Sequence, residues 1–144
     1  MEPILKVNDL KKVFHQRGKR DVIAVESISF SLQPGEILGL VGESGSGKST
    51  VAKLITRLVD PTEGEIILDG QDITHLKGTA LKDAYGKMQM VFQNPVGSFD
   101  PRRTLGDGIG ESLHNKGMSK VERRKKVAEL LEQCGLDVSY ADRY

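Results

Sequence analysis

Eight consecutive residues constrain this chain more than any others. Gly42-Glu-Ser-Gly-Ser-Gly47-Lys48-Ser49 fits G-x-x-x-x-G-K-[ST], with Thr50 directly after it. A backbone that turns its N–H groups inward around an anion needs positions free of Cβ clashes, and Gly42, Gly45 and Gly47 supply them. Ser44 and Ser46 complete the loop with small polar side chains. The positive end of a following helix adds to the field, and Lys48 brings a point charge for the β- and γ-phosphates of a nucleotide. Ser49 places a hydroxyl where Mg2+ takes an oxygen ligand. The flanks agree with the motif. Residues 36–41 form a short, nearly unbroken apolar run of the kind shown by a strand buried on both faces. Beyond the loop, Val51, Leu54, Ile55 and Leu58 recur at helical spacing, which predicts a helix over 49–59.

Composition narrows the classes available. A chain of 144 residues suits one domain of common size. With 21 Lys and Arg against 20 Asp and Glu it has no global field for nucleic acid, so none is expected as a partner. One Cys forms no internal disulfide, and no Cys/His cluster has zinc-ligand spacing, which fits a reducing cytoplasm. The apolar run at 37–41 is interrupted by Gly39 and falls far short of the roughly 20 residues needed to span a bilayer. No basic segment followed by an apolar one marks the start for secretion. Any membrane connection is therefore expected to pass through a partner.

Other elements follow from periodicity and turn chemistry. Residues 4–8 and 22–32 read as strands of a half-buried sheet, joined by a polar loop over 15–21. Residues 33–36 form a turn, and Asp60-Pro61-Thr62-Glu63-Gly64 stops the helix that follows the phosphate loop. Residues 65–68 and 71–73 flank Asp69-Gly70, a strong two-residue hairpin signal. A short helix is expected over 76–85, a strand over 87–92 and an ordered loop over 93–103. A helix over 104–116 would carry Gly106, Gly108 and Gly110, each costing about 1 kcal/mol against Ala. Ser119 and Glu122 match a capping box, and Val121, Ala128, Leu131 and Cys134 form an apolar stripe that ends at Gly135.

A phosphate loop by itself admits GTPases, nucleotide kinases, helicases and transport ATPases. Small-molecule kinases usually begin with the phosphate-loop strand, whereas strand-rich sequence precedes it here. Leu10-Lys-Lys-Val-Phe14, Ala24-Val-Glu-Ser-Ile-Ser-Phe30, Pro34-Gly-Glu36, the phosphate loop, Thr62-Glu-Gly-Glu65 and Met90-Val-Phe-Gln93 follow one another in order. Together they resemble the first half of an ATP-binding-cassette (ABC) transporter ATPase, over essentially the whole chain. Asn94-Pro95-Val-Gly-Ser98-Phe-Asp100-Pro101-Arg102-Arg103-Thr104 is similar to the corresponding stretch of the oligopeptide, dipeptide and nickel importers. Gly108 and Gly110 depart from the helix-friendly run usual there.

The resemblance implies an α/β P-loop NTPase fold of the ABC ATPase type, incomplete, with an N-terminal antiparallel β region. Residues 1–94 would belong to the nucleotide-binding core and 95–144 to the start of a helical subdomain. ATP and Mg2+ are the implied cofactors. Gln93 would be the glutamine that reaches Mg2+ and the attacking water, and Phe14 the aromatic that stacks on adenine. The implied partners are transmembrane permease subunits and a second ABC ATPase subunit, with the protein held peripherally at the inner face of the cell membrane.

Three further signals carry less. Ile66-Ile67-Leu68-Asp69 looks like a Walker B strand, but Gly70 follows in place of an acidic base and the hairpin accounts for it. Arg123-Arg124-Lys125-Lys126 points around most of a helix and reads as a solvated face. His15, His75 and His114 are isolated surface residues.

No LSGGQ-like signature, Asp-Glu Walker B strand or switch histidine occurs in the sequence, and Tyr140-Ala-Asp-Arg-Tyr144 resembles residues just before a signature. The expectation is a chain that stops mid-domain, binds Mg-ATP weakly, does not hydrolyse it alone, and is marginally stable or self-associating. The alternatives are a non-catalytic nucleotide-binding or interaction module paired with an intact ATPase, and another phosphate-loop enzyme such as a small-molecule kinase.

Overall fold

The computed structural model describes residues 2–15, 17–94 and 96–144. They divide into two units, the first running to Met90 and the second spanning Val91–Tyr144.

The first unit is built on an antiparallel sheet. Strand β1 (Leu5–Phe14) lies between β2 (Val22–Leu32) and β3 (Glu63–Leu68), and the short β4 (Gln71–Asp72) extends the far side, giving the order β2-β1-β3-β4. β1 runs well past the expected residues 4–8. Its buried positions are Leu5, Val7 and then Leu10, so the two-residue alternation slips by one. The slip is a bulge at Asp9, whose φ is 45° and whose N–H donates to Ser29 Oγ at 2.7 Å. Gly64 is required opposite this bulge: its φ is 95°, and a Cβ there would stand 2.5 Å from the Asp9 carbonyl.

The Asp69-Gly70 hairpin forms as expected, with φ values of 50° and 74° that suit a two-residue turn with both central residues left-handed. Ile73, just past β4, donates its N–H to the Ile66 carbonyl at 2.9 Å. Helix α1 (Lys48–Ile55) lays Val51 and Leu54 against Leu10, Val25, Ile66 and Ile73, and helix α2 (Gly78–Tyr85) adds Ala84 to the same core. Burying a side chain the size of Ile66 stabilises by about 1.5–3 kcal/mol.

Several expected elements are corrected. The helix expected over 49–59 ends at Ile55, because Arg57 adopts φ 56° and the Thr56 hydroxyl donates back to the Ala52 carbonyl at 2.8 Å. The strands expected over 36–41 and 87–92 are not formed. A strand exists by pairing, and among the described residues neither segment has a ladder partner. Residues 36–41 are therefore not buried on both faces: Ile37 is 96% and Val41 94% exposed.

In the second unit the helix expected over 104–116 is two short helices, α3 (Leu105–Ile109) and α4 (Glu111–Asn115), which meet at Gly110. Helix α5 (Lys120–Gln133) opens with the expected capping box. Glu122 N–H donates to Ser119 Oγ at 3.3 Å, and Ser119 N–H donates to the Glu122 carboxylate at 3.2 Å. Of the expected stripe Leu131 is buried and Ala128 half-buried, Val127 is buried in addition, and Val121 (80% exposed) and Cys134 lie outside it. Arg124, Lys125 and Lys126 are exposed, and Lys126 pairs with Glu129 at 3.0 Å. All three histidines are exposed. No helix among the described residues is long and apolar enough to cross a membrane.

Candidate functional site

The glycine-rich loop is shaped by its glycines as the motif requires, though not all in the same way. Gly45 and Gly47 have φ of 81° and 91°, in the left-handed region, whereas Gly42 does not. Gly42 matters for space: a Cβ there would lie 2.7 Å from Ser46 Oγ. Gly47 matters twice, because a Cβ would also collide with the Ala24 carbonyl of β2. This close approach seats the start of α1 against β2.

Gly47 is also the N-cap of α1, and among the described residues no side chain caps the helix. The N–H groups of Lys48, Ser49 and Thr50 at its first turn therefore have no side-chain capping acceptor among the described residues and carry the positive end of the helix dipole. Lys48 lies back across the loop. Its Nζ donates to the Gly42 carbonyl at 2.7 Å, the Glu43 carbonyl at 2.5 Å and Ser46 Oγ at 3.3 Å. Ser46 N–H donates to the Glu43 carbonyl at 3.2 Å, which closes the turn containing Ser44. The Ser49 hydroxyl belongs to an exposed residue, and Thr50 is half-buried. Helix-start amides without a side-chain cap, beside an ammonium, are groups that can receive an anion.

Phe14 ends β1 opposite Val22 of β2. Gly47 abuts Ala24, two residues along β2, so the aromatic and the loop meet the same strand roughly 7 Å apart, at about 3.3 Å per residue. Phe14 as a residue is 38% exposed. A groove of about 470 Å³ runs beside the loop, lined among others by Ala24, Val25, Val41, Gly42, Lys48 and Val51. Gln93 sits in an exposed bend of the second unit, whereas the loop and Phe14 belong to the first. Among the described residues no group of three or more His, Cys, Asp or Glu could hold a metal ion.

Sequence reasoning missed two supports of this site. One is the backbone of Ala24, which no side-chain pattern marks. The other is Arg57, a buried cation just past α1. Its Nε donates to the Ile73 carbonyl at 2.9 Å and its Nη1 to Asp60 Oδ1 at 2.7 Å, while the Tyr85 hydroxyl donates to its carbonyl at 3.1 Å. The hydrogen bond and charge of Arg57 hold the Asp60 carboxyl below its ordinary value of 3.8. These bonds latch the far end of the helix that carries the phosphate loop. An arginine inside an apparently helical run gave no sign of this role.

Comparison with known proteins agrees with this geometry. A family model described as ABC transporter matches residues 25–144. The oligopeptide transport ATP-binding protein AppF of Bacillus subtilis (strain 168) is 47% identical over 151 aligned residues, which span 99% of this chain and 46% of that protein. The glutathione import ATP-binding protein GsiA of Pectobacterium atrosepticum is 46% identical, across 99% of this chain and 24% of its own length. The chain thus spans about half, or less, of these relatives. Among solved structures, the dimeric post-hydrolysis state of the ATP-binding cassette MJ0796 bound to ADP and Pi matches with a TM-score of 0.84 at 30% identity. That match covers 96% of this chain and 60% of the cassette. The fold is accordingly the expected α/β architecture of an ABC-type P-loop ATPase, in part. With a family model matching well over half of its length, the chain belongs to the ABC transporter family.

Proposed function

We propose that this chain is the ATP-binding portion of the ATPase subunit of a peptide-type ABC importer, energising transport through ATP binding and hydrolysis in the longer protein. The observation that carries the reading is the uncapped start of α1, seated on Ala24 by Gly47 and faced by the Lys48 ammonium across the loop. Gly42, Ser44, Gly45, Ser46, Gly47, Lys48, Ser49 and Thr50 hold the phosphates, chiefly through backbone N–H groups and the Lys48 charge. Phe14 offers a face to adenine. Peptide as the solute class is supported by the two relatives, whose names specify oligopeptide and glutathione.

Mg2+ prefers hard oxygen donors and keeps much of its coordination from water and phosphate. The exposed Ser49 hydroxyl at the first turn of α1 fits that preference, and the Gln93 carboxamide supplies an oxygen of the same kind. When bound, the ion neutralises charge shared between the β- and γ-phosphates. Lys48 and the loop amides do the remaining electrostatic work, and Gln93 senses the γ-phosphate for the permease. Residues 1–94 serve as part of the nucleotide-binding core and 95–144 as the start of a helical subdomain. Permease subunits and a second ATPase subunit are the partners, at the inner face of the cell membrane.

The sequence has no acidic residue after a Walker B strand to polarise water, so the 144-residue chain holds ATP without turning it over. Phosphate release from Mg-ATP should be equal for the chain and for Lys48→Ala. Release clearly above that control would show that the chain carries its own catalytic base.

A further inference from the structure

Lys12 stands two residues before Phe14 on the same strand, and its ammonium lies 5.0 Å from the centre of the Phe14 ring. The ammonium is tethered: it donates to the Asp60 carbonyl at 2.7 Å, in the turn that follows α1. Between the two residues, Val13 N–H donates to Thr62 Oγ1 at 3.0 Å, so backbone and side chain are both tied to the segment 60–62. One face of the Phe14 ring is thereby fixed against a cation, while the residue stays 38% exposed. This half-covered aromatic sits two residues along β2 from the strand position that seats the phosphate loop. An exposed aromatic face at that spacing suits the base of a nucleotide, because every base has a π-face that stacks without directed hydrogen bonds.

We propose that Lys12 is a positioning residue for nucleobase stacking: held by Asp60, it orients the Phe14 ring and leaves the opposite face to the base of a nucleoside triphosphate. The proposal rests on the reading that the loop holds such a nucleotide. A cation over an exposed ring shifts an equilibrium by about two- to fivefold, and loss of the stacking ring itself by roughly tenfold or more. Lys12 touches the ring and not the base edge, so ATP and GTP lose affinity by the same factor when it is removed.

The test titrates ATP and inorganic tripolyphosphate into the chain and its variants. Lys12→Met keeps the apolar stem and removes the charge. It should weaken ATP about two- to fivefold and leave tripolyphosphate unchanged, while Lys12→Arg keeps ATP affinity. Phe14→Leu should weaken ATP roughly tenfold without affecting tripolyphosphate, and Lys12→Met in that background should add no further loss. Equal weakening of ATP and tripolyphosphate by Lys12→Met would mean that the charge acts on the phosphates, and would overturn the proposal. An effect of Phe14→Leu with none of Lys12→Met sinks the role of Lys12 alone. No effect of Phe14→Leu removes base stacking at this ring, and with it the proposal. Absence of ATP binding to the parent chain would instead refute the underlying nucleotide reading.

Discussion

Residues 22–32 pair with β1 along most of their length, whereas residues 36–41, more continuously apolar, stand without a partner and turn Ile37 and Val41 to solvent. Both segments have the composition of strands. The difference is where the neighbour comes from. β2 finds β1 one loop away in the sequence, and the bulge at Asp9 keeps their apolar positions in phase. Residues 36–41 have no ladder partner among the described residues. Apolar patterning therefore marks which residues favour cover, and pairing decides whether they receive it. The phosphate loop works from the paired side: Gly47 rests on β2 and α1 packs into the core, so the cradle forms even though the segment leading into it is unpaired.

The largest expected effect sharpens this contrast. Ile66→Ala, at a fully buried position shared by the sheet and α1, should cost about 2–5 kcal/mol in denaturant unfolding. Val41→Ser should change stability by no more than about 0.5 kcal/mol, because that side chain is 94% exposed. A large cost for Val41→Ser would break the comparison, since it would show residues 36–41 covered in solution, as in the self-association expected from the sequence.

A smaller effect extends the contrast to helix starts. α5 closes its first turn with its own Ser119 and Glu122, whereas α1 has no side-chain cap among the described residues, and its first turn is the proposed phosphate site. Ser119→Ala should cost about 1 kcal/mol, read as a lower unfolding midpoint, with no change in nucleotide affinity. A loss of ATP binding in that variant would contradict the assignment of the two helix starts to separate tasks.

Much of the fold and the cradle was legible because its signals are local. Asp69-Gly70 fixes a hairpin through two left-handed residues, Ser119 and Glu122 reach each other within one turn, and the loop's glycines act on their own backbone. What escaped depended on distant or broken patterns. β1 continued past residue 8 because a bulge shifted its alternation, which a strict two-residue period cannot follow. α1 stopped early at Arg57, a non-glycine residue with positive φ held by bonds to Ile73, Asp60 and Tyr85. The stripe on α5 kept Leu131 but lost its two ends, because Val121 and Cys134 lie at the ends of the helix, away from the buried Val127 and Leu131. Within Leu10-Lys-Lys-Val-Phe14 nothing singled out Lys12, since the carbonyl that its ammonium meets lies 48 residues away.

The loop at the start of α1 is proposed to bind a nucleotide through Lys48. Calorimetric titration of Mg-ATP into the 144-residue chain and into Lys48→Ala tests this most directly. The prediction is saturable one-to-one binding that weakens about ten- to hundredfold on removal of the ammonium, the scale of a hydrogen bond to a charged group. Equal affinity in the two proteins, or no binding to the parent chain, would contradict it.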